Sequence, residues 1–311
     1  MKSHAYLGDV LIVMLAPLCW AGNFVLAKHL QSEITAIQLN FWRWFLACLV
    51  LTPFVARDLR QLVRDMLEHL PILIAQSLMG IAVYHCLVYY ALKSTSAINA
   101  TLINSLVPMF IPLFAFIAFR QRLAPKHWIA IALSTLGVAV VVTQGRIEQL
   151  RNLHLATGDF LMVIAAMIWA IYTLLLSRKP STIAGMRFLW CLSFIGTLLL
   201  TPAFFLDLAR HGPFPNTMPN WLSVGYVALF AAVFAFLAWN YGATKFPASH
   251  LGMFAHLMPA FGSLLAIVFL GESFRTFHAI GMTLIGAGLC IIFSGTSGSR
   301  PEREVKALRA R

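Results

Sequence analysis

Apolar runs long enough to cross a bilayer recur along this chain at short intervals, and few folds can be built from such a pattern. A hydrocarbon core about 30 Å thick takes roughly 20 residues of helix. Runs of that order occupy 8–27, 37–56, 71–91, 97–119, 126–144, 158–177, 184–206, 221–242, 248–270 and 277–295. The gaps between them are too short to hold a soluble domain. Backbone amides inside hydrocarbon have no water to bond, so such runs pair their amides internally, as helices. The expected fold is an all-α integral membrane protein with ten transmembrane helices. Only 11% of the residues are charged and 60% are hydrophobic, whereas a soluble domain carries roughly 25% charge.

The net charge of +12 would suit nucleic acid, but the basic residues sit in short gaps between apolar runs, where Lys and Arg orient membrane helices. The expected surroundings are therefore a lipid bilayer, with no nucleic-acid partner. With residue 1 inside, the inner segments hold fifteen Lys and Arg and the outer loops six, while Arg43 and Arg187 fall within helices. That bias places both termini in the cytoplasm, with residues 297–311 as a basic cytoplasmic tail. The first run lacks a small-residue cleavage site and reads as a span, not as a cleavable signal peptide. Cys19, Cys48, Cys86, Cys191 and Cys290 all lie inside apolar runs without CxxC spacing, as small buried hydrophobes do. No P-loop, dinucleotide fingerprint or HExxH occurs, so the expectation is no cofactor, no metal and no enzyme.

Two stretches echo each other. YYALKSTSAINATLINSLVPMFIPLFAFIAF covers 89–119 and NYGATKFPASHLGMFAHLMPAFGSLLAIVFL covers 240–270. A shift of 151 aligns Tyr90 with Tyr241, Ala97 with Ala248, Asn99 with His250 and Pro108 with Pro259. Gly8-Asp9 matches Gly158-Asp159, and Trp20-Ala21 matches Trp169-Ala170 with a one-residue slip. Two repeats of five helices each, an odd number, enter the membrane from opposite sides. An inverted repeat of this kind points to alternating access around a midplane site. The expected division is 1–145 and 146–296.

The ordered set of motifs resembles the drug/metabolite transporter superfamily, and within it the EamA-like ten-helix carriers. Trp20-Ala21-Gly22-Asn23-Phe24, Arg43, Tyr90-Ala91-Leu92, Ala97 and Leu106-Val107-Pro108 carry the resemblance in the first half. Trp169-Ala170, Asn240-Tyr241-Gly242-Ala243, Leu257-Met258-Pro259 and Gly271-Glu272 carry it in the second. One departure is Phe119-Arg120-Gln121-Arg122, which lacks an acidic counterpart of Glu272. The resemblance implies a central cavity among helices 1, 3, 4, 6, 8 and 9, with helices 5 and 10 outside it. It also implies ATP-independent movement of amino acids or other small metabolites across a bacterial inner membrane.

Polar groups inside spans mark candidate sites, and each has a plainer competitor. Asn99, Asn104 and His256 either line a cavity or make interhelical hydrogen bonds, and His250 is either a cavity or proton-linked residue or a satisfied helix-end histidine near the cytoplasmic side. His85, one turn from Tyr89, is either a proton-linked group or a neutral imidazole bonded to a neighbouring helix. Trp20, Asn23, Trp169, Tyr172, Trp239 and Tyr241 offer flat surfaces with polar tips, which suit a small zwitterionic or aromatic solute. Trp42 and Trp44 fit a belt or packing role better. Arg43 either snorkels or anchors on backbone carbonyls freed by Pro108 or Pro112, a structural role favoured over contact with an anionic solute. Asp9 and Asp159 read as helix caps. Pro108, Pro112 and Pro259 are candidate hinges. Gly281, Gly286, Ala287 and Gly288 offer a face for close helix packing.

The expectation is a monomeric or homodimeric secondary transporter, most readily an exporter of amino acids or related compounds. Two alternatives stand beside it. One is a carrier of phosphorylated or nucleotide-linked sugars, which needs paired cations in the cavity. The other is a multi-pass enzyme acting on lipid, which needs clustered acids or histidines at one face.

Overall fold

The computed structural model describes residues 2–30, 32–95, 97–120, 124–146, 148, 156–270 and 273–293. All regular structure among them is helical. Among the described residues, nine stretches are long and apolar enough to cross a membrane: 6–24, 36–68, 70–94, 100–118, 125–142, 157–178, 185–211, 218–245 and 276–293. The remaining apolar run, 248–270, is helical in three pieces. These are Ala248–Met253, a 3₁₀ turn Phe254–His256, and Leu257–Leu270. The apolar side chains that face away from the bundle, such as Leu11, Phe54, Ile117, Ile129, Phe160, Leu198, Leu222 and Val268, are exposed along most of these segments.

In chain order the helices are α1 Lys2–Leu30, α2 Ala36–Val55, α3 Leu59–Glu68, α4 Leu70–Ser77, α5 Tyr84–Ser94, α6 Ala97–Asn104, α7 Val107–Phe119 and α8 Pro125–Val142. They continue as α9 Thr157–Leu175, α10 Gly185–His211, α11 Met218–Tyr226, α12 Ala235–Lys245, α13 Ala248–Met253, α14 Leu257–Leu270 and α15 Thr276–Phe293. The chain reverses tightly between α5 and α6 and between α12 and α13. Thr95 ends α5, and Phe246-Pro247 separates α12 from α13. The basic segment with Arg57, Arg60 and Arg64 is α3 and the turn before it, not a loop. Its buried Leu62, Asp65 and Met66 recur at helical spacing and seat it on the bundle.

The helix contacts come in swapped pairs. α1 packs on α12 and α14, and its counterpart α9 packs on α5 and α7. α2 packs on the segment Val227–Phe234 of the second half, and α10 packs on Leu78–Val83 of the first. α2 also meets α10, and α8 meets α15. The α8–α15 seam is close because of glycine: a Cβ on Gly137 would lie 2.7 Å from the Gly281 carbonyl oxygen, and one on Gly288 2.7 Å from that of Ala130. Gly286 has nothing within 4 Å, so the expected packing face includes Gly281 and Gly288 but not Gly286.

Two departures from α geometry stand at matching places. Leu78–Val83 joins α4 to α5 and Val227–Phe234 joins α11 to α12, both as π-helix. A π turn leaves carbonyls open to other donors. Asn40 Nδ2 donates to the Ile81 and Ala82 carbonyls at 3.1 and 3.3 Å. Ala231, 150 residues after Ile81, accepts from Trp20 Nε1 at 3.0 Å and from Arg43 Nη2 at 2.7 Å. Arg43 does bind a freed carbonyl, as its sequence suggested, but that carbonyl belongs to the π segment and not to a residue near Pro108 or Pro112.

The two proline-bearing segments are broken in register with each other. Helix stops at Asn104, Ser105-Leu106 turn, and Pro108 falls in the first turn of α7. In the second half the 3₁₀ turn Phe254–His256 comes first and Pro259 is the third residue of α14. Proline is tolerated in a first turn, where its missing N–H has no helical partner to lose. Pro108 and Pro259 therefore restart helices; among the three, Pro112 alone lies well inside one.

Candidate functional site

The centre of the bundle is an aromatic cluster built from both halves. Trp20 of α1 lies 5.1 Å from Trp169 of α9, edge to face, and 5.2 Å from Trp239 of α12. Trp169 in turn touches Tyr84 at 4.6 Å, Tyr172 at 5.0 Å and Phe236 at 5.6 Å between ring centroids. His85 faces Tyr84, Trp44 and Phe236 at 4.8, 5.8 and 5.8 Å. Every one of these rings is buried. They sit there because the helices bearing them carry large rings on inward faces and small residues opposite. Gly80 is one such residue, since a Cβ there would lie 2.5 Å from two carbons of the Tyr172 ring.

Two hydrogen bonds frame the cluster symmetrically. Tyr89 Oη donates to Asn23 Oδ1 at 3.1 Å, joining α5 to α1. Tyr172 Oη donates to Asn240 Oδ1 at 2.8 Å, joining α9 to α12. Asn23 and Tyr172 are 149 residues apart, as are Trp20 and Trp169; Tyr89 and Asn240 are 151 apart, the shift of the second echo. The same bond is thus made twice with its donor and acceptor exchanged between equivalent helices.

Of the residues singled out in the sequence, Trp20, Asn23, His85, Tyr89, Trp169, Tyr172 and Trp239 come together here. Asn104 joins the edge: Tyr84 Oη donates to its Oδ1 at 3.4 Å, and its Nδ2 lies 3.6 Å from Met258 Sδ. His256 sits between the two broken segments, with Nε2 2.8 Å from the Ser105 carbonyl oxygen and Nδ1 2.7 Å from Ser134 Oγ on α8. His250 lies at the end of the bundle that holds residue 6, its ring 5.2 Å from His127 and 5.9 Å from Phe293. Its neighbours are therefore α8 and α15, not the cluster. The side chain of Asn99, and the segments with Gln121, Arg122, Gly271 and Glu272, lie outside the described residues. Tyr241 belongs to a helix end, where its Oη donates to Asp9 Oδ1 at 2.5 Å.

That bond corrects the reading of Asp9. The helix begins at Lys2, so Asp9 accepts across to α12 and does not cap α1. Asp159 does cap, taking the Ala156 N–H at 2.8 Å, and also accepts from Oγ1 of Thr95, the residue that closes α5. Two further ties hold α10 to the first half at opposite ends, one at the start of α2 and one on α3. Thr35 Oγ1 and Gln38 Nε2 donate to Asp207 Oδ2 at 2.6 and 3.0 Å. Arg187 Nη2 lies 3.3 Å from Asp65 Oδ2.

Sequence reasoning left four members of the cluster outside the site, Tyr84 among them. Trp44, read as belt or packing, is fully buried against Phe236 and under the Arg43 guanidinium, 5.3 Å from its ring. Phe236, 151 residues after His85, was findable from the repeat shift. Arg43 donates through Nη1 to Tyr89 Oη at 2.9 Å, so it belongs to the frame itself. Among the described residues, no group of three or more His, Cys, Asp or Glu could hold a metal ion.

This architecture and the sequence agree on a class. The model of the EamA-like transporter family matches the chain twice, over residues 7–143 and 156–294. The chain belongs to that family, and it is a multi-pass membrane transporter. It is similar to an uncharacterized transporter of Archaeoglobus fulgidus, 28% identical over 90% of this chain and 95% of the relative. A probable terminal-alkyne amino-acid exporter of Streptantibioticus cattleyicolor is 22% identical over 79% of this chain and 80% of its own. One solved crystal structure shares the fold with a TM-score of 0.69 at 22% identity, covering 92% of this chain and 96% of that one.

Proposed function

We propose that this protein is a secondary carrier that exports amino acids or closely related compounds across a bacterial inner membrane. The observation that carries the reading is the buried cage of Trp20, Trp169, Trp239 and Phe236, framed by the swapped Asn–Tyr pairs. Flat rings with a few polar tips suit a small solute with an apolar side chain and a polar head. One relative's name, that of the amino-acid exporter of Streptantibioticus cattleyicolor, points to the same solute class.

In this reading the broken run 248–270 is the tenth crossing, the halves are 1–145 and 146–296, and both termini are cytoplasmic. The meeting of Tyr6 with Phe293, 6.2 Å between centroids, supports an even number of crossings between them. The rings touch, so solute enters only when the halves part. The π segments and the breaks ahead of Pro108 and Pro259 are the places where the inner helices bend, because their backbone bonds already depart from the α pattern. Trp20, Asn23, His85, Tyr89, Trp169, Tyr172 and Trp239 contact the solute, and Asn104 borders it. A phosphorylated sugar is less well served, since Arg187 is already tied to Asp65 and leaves Arg43 as the one buried Lys or Arg among the described residues.

The test is counterflow in proteoliposomes with a panel of labelled amino acids and small metabolites, beside a comparison of medium from cells lacking and overproducing the protein. Uptake of amino acids against unlabelled internal solute supports the reading. No movement of any panel member contradicts it.

A further inference from the structure

Arg43 carries a buried charge that forms no ion pair with any acid among the described residues. Its side chain is 0% exposed. Among the described residues, the ion pairs join Arg187 to Asp65 and His211 to Asp207, and neither involves Arg43. Its two hydrogen bonds go to neutral acceptors, the Tyr89 hydroxyl and the Ala231 carbonyl. Nε has no partner. The Trp44 face offers a cation–π contact, which compensates only part of the lost hydration. A lone charge at membrane depth is costly and belongs where function requires it.

The groups around it lack acceptors too. Trp44 Nε1, Trp239 Nε1 and Asn240 Nδ2 are all buried N–H donors without a partner. Each belongs to the same cluster: Trp44 through Phe236 at 4.7 Å, Trp239 through Trp20, and Asn240 through Tyr172. Buried donors are rarely left unmade, because each carries its full desolvation cost. Asn40 Oδ1 and His85 Nδ1 are likewise buried without a partner, so the centre is positively charged, richer in unmet donors than in acceptors, and walled by rings.

We infer that Arg43 is the residue that recognises the solute's carboxylate, and that the transported class is a monocarboxylate with an apolar or aromatic body. This rests on the carrier reading above and narrows its solute. A carboxylate supplies about four acceptor positions in the planar arrangement a guanidinium matches. A single cation balances a single negative charge, which favours a carboxylate over a phosphate ester. The frame tolerates the exchange. When the guanidinium turns to the solute, Ala231 keeps the Trp20 indole as donor, and Tyr89 keeps its bond to Asn23.

The test uses purified full-length protein and the quenching of its own tryptophans. The probes are L-phenylalanine, L-phenylalaninamide, 3-phenylpropionate, phenethylamine and inorganic phosphate. The wild type is expected to bind phenylalanine and phenylpropionate at least about tenfold more tightly than the amide and the amine, as a charge-assisted bond requires, and phosphate weakly. Arg43→Gln is expected to erase the preference for acid over amide, and Arg43→Lys to keep part of it. The wild-type ratio needs no variant, so a poorly folding Arg43→Gln leaves the inference testable. Equal binding of acid and amide, or an Arg43→Gln protein that keeps the wild-type ratio, overturns it. Counterflow of panel solutes that lack a carboxylate, without any of the acids, sinks the Arg43 role and leaves a carrier of another solute class standing. Silence across the whole panel sinks both.

Discussion

Gly80→Ala tests whether the π segment of the first half is shaped to receive a ring of the second. The new methyl would lie 2.5 Å from Cδ2 and Cε2 of Tyr172, where carbon atoms settle at about 3.5–4.0 Å. The ring must withdraw by roughly an ångström, which stretches the 2.8 Å bond from Tyr172 to Asn240 past useful length. Overpacking costs about 1–3 kcal/mol, and an interhelical hydrogen bond in a membrane contributes about 0.6 kcal/mol on average. Replacing glycine within a helix returns up to about 1 kcal/mol. The net loss is about 1–3 kcal/mol, a factor of roughly 5 to 150 in the folding equilibrium. Unfolding in mixed micelles by added SDS, followed by circular dichroism, reads it directly. Gly286→Ala is the control, because nothing lies within 4 Å of its Cβ position, and it should match or slightly exceed the wild type. A Gly80→Ala protein as stable as Gly286→Ala, with undiminished counterflow, would refute the packing argument.

Tyr172→Phe and Tyr89→Phe remove equivalent bonds, yet Tyr89 also accepts from Arg43; Tyr89→Phe should therefore be the more damaging of the two in both stability and counterflow. Gly137→Val should force α8 from α15, since its Cβ position lies 2.7 Å from the Gly281 carbonyl oxygen, and should cost about 1–3 kcal/mol in the same SDS titration. Arg187→Gln and Asp65→Asn should each shift stability by no more than about 1 kcal/mol, because the Arg187 side chain is 33% exposed and water screens the pair. A double-mutant cycle between them should give a coupling that shrinks as salt is raised.

The spans were readable because run length and hydropathy are properties of the chain itself. The repeat was readable because Trp20, Asp9 and Pro108 recur at nearly one offset. Trp20 and Trp169 drew attention as ring pairs inside spans, and they do meet. The π segments were not readable: LMGIAV and VALFAAVF have the composition of any membrane helix, and what sets them apart is a neighbour's ring or donor. Arg43 was read as an anchor because a sequence does not show whether a carboxylate stands opposite. His250 was aligned with Asn99, yet its neighbours are His127 and Phe293. Repeat position names an equivalent place in each half, but it does not say which outer helix covers that place.

In a carrier of the proposed kind, the cage between the halves opens to each side of the membrane in turn. Phe236→Cys, in a protein whose five native cysteines are replaced by serine, puts a single thiol at the centre of the cluster. A membrane-impermeant maleimide is expected to reach this thiol from either face of oriented proteoliposomes, and a transported solute is expected to slow both reactions. Labelling from one face alone, or labelling that no transported solute slows, would contradict it.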